Sequence, residues 1–198
     1  KIIPKFCFNC YKVQITLDKV LDLIKLHFYL SRLKLEQNNI RKCIVELRDN
    51  IAGNYKGYVF CNSISEAASI KRIITNDLKS SNINSENVEI KHGCSEYYDE
   101  FKIYKNIKEN VMDKIYKKEW VEIERKFDEE NYILENNKEK VFDKTINLFC
   151  LPDLLIMKNW LIYAKIIGDE SYKDVYKAEV NTNHLSQLEV QKISMRKK

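Results

Sequence analysis

The side chains best suited to chemistry are cysteines. Cys7-Phe8-Asn9-Cys10 has the spacing that places two thiolates on one tight turn, a common first half of a tetrahedral zinc site. Cys43 and Cys94 offer two more sulfurs, and His92 offers an imidazole that could replace one of them. The expected ligand set is therefore Cys7, Cys10, Cys43 and Cys94 with His92 nearby, holding zinc or an iron–sulfur cluster. The same thiols also suit a protein core, because cysteine is among the residues most often buried. Redox catalysis is the weakest use, since a catalytic pair of this spacing opens a helix whose dipole lowers the thiol pKa, and this pair opens a strand.

A second set is aromatic and basic. Tyr58 and Phe60 alternate with Val59, and Lys12, Arg48, Lys56 and Lys91 occupy matching positions on neighbouring extended segments. Two rings among cations on one sheet face can stack single-stranded bases while the cations meet phosphates. The segment Lys56-Gly57-Tyr58-Val59-Phe60-Cys61, continued by Ser63-Ile64-Ser65-Glu66-Ala67-Ala68, resembles the third strand and following turn of an RNA-recognition motif. In that family, rings at the positions of Tyr58 and Phe60 stack on RNA. The likeness departs from the family pattern at Val59, at Ser63 and at Gln14, where the first strand of that family usually carries a further ring. Helices of the second half that lay across this face would instead bury Tyr58 and Phe60 as core.

His92, Cys94 and Glu96 name a base, a thiol and a carboxylate, but neighbours along one strand rarely reach hydrogen-bonding geometry, and Gly93 between them marks a bend. Glu46 and Arg48, two apart, read as a surface ion pair. With four glycines in the whole chain, a glycine-rich phosphate cradle has no place to form, which removes the common nucleotide-dependent enzymes.

Periodicity supplies the elements that would carry these residues. Tyr11 to Thr16 alternates as a strand, and Leu17 to Leu35 follows as an amphipathic helix with Asp18 in its first turn. Cys43 to Arg48 and Tyr55 to Cys61 form a hairpin around the turn residues 49–54. Ser63 caps a helix reaching about Leu78, with Glu66 at its third position, and Val88 to His92 is the last strand. The fold class is α+β: a ferredoxin-like β-α-β-β-α-β antiparallel sheet over residues 1–103, followed by an all-helical C-terminal extension over 104–198. The strand order 4-1-3-2 of that fold would bring Cys7, Cys10, Cys43, Cys61 and Cys94 to one end of the sheet. In the extension, Ile107, Val111 and Ile115 share a stripe, and a later helix carries Val141 and Leu148. Pro152 opens a further helix that is apolar on all sides and ends at Gly168, so it is expected to be the most buried of its half.

Composition bounds the partners. At 44% hydrophobic and 32% charged, the chain is neither disordered nor fibrous, and its net charge of +5 permits an anionic partner without demanding one. No run is long enough to span a bilayer, and with no signal-like apolar stretch in Lys1 to Lys5 the thiols are expected in a reducing, cytoplasmic setting, although the first residue is not Met. The expected function is non-catalytic binding or regulation, with single-stranded nucleic acid on Arg48, Lys56, Tyr58, Phe60, Lys12 and Lys91 as the first reading and no cofactor. The alternatives are the zinc site and a structural module whose sheet edges pair into a homo-oligomer.

Overall fold

The computed structural model describes residues 2–37, 39–93, 97, 101, 116–131, 150–176, 193 and 195. Four strands, β1 (Tyr11–Leu17), β2 (Arg41–Val45), β3 (Tyr55–Cys61) and β4 (Asn87–His92), form one antiparallel sheet in the order β2-β3-β1-β4. The described helices are α1 (Val20–Arg32), α2 (Ile64–Ser80), α3 (Lys118–Glu130), α4 (Leu151–Ile167) and the single turn α5 (Lys173–Tyr176). Two 3-10 turns, Lys5–Asn9 and Glu170–Tyr172, precede β1 and α5. The molecule is thus a mixed α+β protein. The stripes expected around Ile107 and Val141 lie outside the described residues.

Alternation decides which side of the sheet is buried. Val13, Ile15 and Leu17 on β1 and Tyr55 and Val59 on β3 point to one side, where α1 and α2 close over them. On α1 the inward positions are Val20, Leu23, Leu26 and Leu30, and on α2 they are Ala67, Ile70, Ile74 and Leu78, both at helical spacing. Gly57 lets α1 come this close, since a Cβ there would lie 2.4 Å from Leu26 Cδ2. In the β2–β3 loop Gly53 takes a φ of +82°, and a Cβ would meet Thr16 Cγ2 at 2.6 Å.

Two expected boundaries move. The first helix starts at Val20, because Leu17 is still strand and pairs with Tyr55. β2 spans Arg41–Val45 and not Cys43–Arg48, leaving Glu46 and Arg48 in the loop and Leu47 exposed. The helix after Pro152 is α4, and only Met157, Trp160 and Ala164 of it are buried. Those three join the main core and set α4 beside α1, on the helical side of the sheet. Its C-terminal residue Gly168 has a φ of +80°, the left-handed stop that the sequence signals. α3 packs elsewhere, with Trp120 meeting Ile3, Cys7 and Phe8 in a second small core.

Candidate functional site

The end of the sheet where β1 begins gathers most of the described cysteines. A 3-10 turn over Lys5–Asn9 is closed by Cys7 N–H donating to Pro4 O at 2.9 Å and Cys10 N–H donating to Cys7 O at 3.3 Å. It folds the Cys-x-x-Cys segment back on itself, with Cys7 buried and Cys10 at its mouth. Tyr11, the next residue, lies opposite Cys61 on β3 and opposite His92 on β4. Two 2.7 Å contacts then clip β4 to the turn. His92 Nε2 contacts Phe8 O, and Gly93 N–H donates to Cys10 O. A carbonyl only accepts, so His92 donates through Nε2. Gly93 turns the chain at a φ of +59°, the bend expected between His92 and Cys94.

Cys7, Cys10 and Cys61 line a cavity of about 470 Å³ together with Phe60 and Asn39. The Cys61 thiol donates to Val59 O at 3.6 Å, and burial pushes it up to about 11, helped by Glu66 and Cys10. Cys43 sits elsewhere. It faces Gly57, four positions along β3 from Cys61 and therefore roughly 13 Å away along the strand. Burial pushes its thiol up to about 12. Cys94 and Glu96 lie outside the described residues, and among the described residues no three His, Cys, Asp or Glu groups converge closely enough to hold a metal.

The aromatic set lies on the other side of the sheet, as alternation predicts, and most of it is engaged within the protein. Lys56 is 2% exposed and pairs with Glu46 Oε2 at 3.0 Å. Arg48 grips the same carboxylate through Nε and Nη2, both at 2.8 Å. The Arg48 hydrogen bonds, aided by Lys56 and opposed by burial, hold the Glu46 carboxyl down at about 2. Tyr58 is 8% exposed, has Lys12 Nζ 5.4 Å from its ring centre, and is pushed up to about 12, mainly by burial. Its ring lies 6.3 Å from that of Phe60, which is half-buried. Lys91 pairs with Glu89 at 3.1 Å, and Glu89 also accepts from Gln14 Nε2 at 3.1 Å.

Two carboxylates missing from the sequence reading organise the second half. Asp169 accepts from Val20 N–H at 2.7 Å and from the Tyr55 hydroxyl at 2.8 Å through Oδ2, and from Ser171 N–H at 2.9 Å through Oδ1. Burial disfavours its charge, but these donors outweigh burial and hold its pKa below the ordinary carboxylate value. Asp153 accepts from the Cys150 thiol at 3.0 Å and the Cys150 amide at 2.9 Å, and meets His27 Nε2 at 3.1 Å. Thiol, carboxylate and imidazole are all present here, yet the carboxylate sits between the other two. A nucleophile needs its base in direct contact, so this trio acts as a helix cap and a clamp to α1. The Asx turn at Asp169-Glu170-Ser171 is readable from sequence, but its distant partners are not.

No protein-family model matches the chain, and no curated protein or solved structure shows significant similarity to it. No described helix is long and apolar enough to cross a membrane.

Proposed function

We propose that the chain is a non-catalytic binding module in which zinc would draw Cys7, Cys10 and His92 closer than they stand at the end of the sheet, with Cys94, outside the described residues, as the fourth ligand. The observation that carries this reading is the pair of 2.7 Å hydrogen bonds clipping His92 and Gly93 to the Cys7–Cys10 turn. A zinc-bound imidazole commonly donates its other N–H to a backbone carbonyl, and His92 makes that bond to Phe8, between the two cysteines of the turn. Zinc would supply folding energy to this end by drawing the turn and β4 together, and would take its sulfurs as thiolates. Cys43 is too far along the sheet to share the ion, and the raised pKa of Cys61 makes it a poorer ligand than the mouth residue Cys10.

The decisive measurement is elemental analysis of untagged protein purified without chelator. About one zinc per chain, lost on Cys10→Ser and on His92→Ala, is expected. Metal-free wild-type protein would sink the site. It would also leave the sheet face as the better reading, supported by the adjacent Tyr58 and Phe60 rings with Lys12 over one of them. Single-stranded RNA binding that is lost on Phe60→Ala would then be the sign of that reading, with Arg48, Lys56 and Lys91 as its basic neighbours.

The order β4-β1-β3-β2, read from the other edge, supports a ferredoxin-like assignment for residues 1–103 with a helical extension after it. Reduced thiols suit a cytoplasmic setting.

A further inference from the structure

Where α1, β2 and α4 meet, a cavity of about 260 Å³ is lined by His27 and Leu30 from α1, Arg41 and Lys42 from β2, and Ile156 and Trp160 from α4. Part of its wall is apolar and fixed. Leu30 is buried, and the Trp160 ring stands edge-on to His27 with ring centres 5.8 Å apart. The rest of the wall carries two cations, and no Asp or Glu lines the cavity among the described residues. Asp153, which meets His27, is already held by the Cys150 thiol and amide.

Arg41 stands in an unexpected place for a cation. Alternation turns it to the helical side of the sheet with Cys43 and Val45, opposite the core residue Val59. Its Nη1 donates to Leu30 O near the end of α1, while Nε is shut off from solvent and has no hydrogen-bond partner. Capping the end of α1 occupies one donor and offsets part of the charge. It leaves a guanidinium beside an apolar cavity without a carboxylate among the described residues, and a buried donor with nothing to bond. Both are costly states for a polar group.

We infer that this cavity binds a small carboxylate with an apolar body, the carboxylate on Arg41 and the body against Leu30, Ile156 and Trp160. A guanidinium grips two oxygens side by side, and a modest turn of the Arg41 head toward the cavity would bring Nε into that grip. The volume equals about nine water molecules at roughly 30 Å³ each, which is close to the bulk of benzoate. A bare inorganic anion would satisfy Arg41 but leave the apolar wall unfilled, whereas small-molecule sites join a mostly apolar lining to a few placed polar groups.

The test is NMR of the full chain, whose two tryptophans give two indole N–H signals, assigned with Trp120→Phe. Added benzoate is expected to move the Trp160 signal saturably, with a Kd on the order of 1 mM, and to leave the signal of Trp120, in the second core, in place. Benzamide, of the same shape but uncharged, should bind at least about tenfold more weakly, and Arg41→Gln should weaken benzoate by a similar factor. If Arg41→Gln does not fold, Ile156→Phe carries the same test. Ile156 is half exposed, so α4 accepts the larger ring, which would fill the cavity and abolish binding. A Trp160 signal that does not move, benzamide bound as tightly as benzoate, or an affinity untouched by the substitution would each overturn the inference and leave Arg41 as a cap on α1. Inorganic phosphate moving the Trp160 signal as strongly as benzoate would show a bare anion site and overturn it equally.

Discussion

Glu46 is held by two cations of different standing. Lys56 is buried with it, while Arg48 reaches in from solvent. Removing the carboxylate would leave the Lys56 ammonium inside the protein with no counter-charge, the situation in which a buried pair costs most to break. Glu46→Gln is accordingly expected to lower unfolding free energy by about 2–4 kcal/mol in urea titrations, and Arg48→Ala by less, because exposed pairs contribute little. The pH dependence has a definite sign. The folded carboxyl titrates near 2 against an ordinary 4.5, so its contribution is complete above about 4.5 and disappears as pH falls through 2. Allowing for the exposure of Arg48, that contribution is on the order of 2 kcal/mol. Acid unfolding of Glu46→Gln should therefore flatten across this window relative to wild type, and parallel curves would show that Glu46 is not the titrating group. The surface ion-pair reading of Glu46 missed its burial. Lys56 carries no mark in the sequence of being the most enclosed cation among the described residues.

At the scale of elements, legibility follows the strength of the local signal. Ser63 accepts from Glu66 N–H at 3.1 Å, as the capping pattern predicts, although the Glu66 carboxylate reaches Asn62 N–H and not Ser63. β1 and β3 carry alternating apolar residues and were placed with the right faces. β2 starts two residues and ends three residues before its expected bounds, because Glu46-Leu47-Arg48 continues the alternation past the point where the chain leaves the sheet. The cysteine end suffered from that shift, since Cys43 lies in mid-strand opposite Gly57 and does not open β2 near the turn. Gly57 tests the α1–β3 approach directly. Leu26 is fully buried and must shift to admit a methyl at position 57, so Gly57→Ala is expected to cost about 1–3 kcal/mol in thermal or urea unfolding. Combined with Leu26→Ala it should cost clearly less than the sum of the two single changes, and strict additivity would show that the methyl clash is not the cause.

At the scale of the whole molecule, α4 is fixed to α1 and the sheet by polar clasps as well as by Trp160. His27 meets Asp153, the Tyr163 hydroxyl donates to Glu46 O at 2.8 Å, and Asp169 joins Val20 to Tyr55. None of these was legible, because each links residues more than a hundred positions apart and periodicity reports only on neighbours. The all-apolar helix expected to be the most buried of its half does bury the most residues among the described helices there, yet only three, because composition shows that a surface is apolar and only packing shows what covers it. Asp169→Ala removes the acceptor for the first amide of α1 and for the Tyr55 hydroxyl at once, and is expected to cost about 2 kcal/mol in urea unfolding. Asp169→Asn keeps one acceptor oxygen and should cost less. A loss below about 0.5 kcal/mol for the alanine variant would separate this clasp from stability.

The reach of Asp169 also bears on how the chain comes into being. Val20 leaves the ribosome 149 residues before the carboxylate that caps it, an interval of roughly ten to thirty seconds at ordinary rates of synthesis. Throughout that time α1 has no side-chain cap of its own, since Lys19 supplies none. Until residues 150–170 emerge, the nascent α1 therefore has neither this cap nor the cover of Trp160.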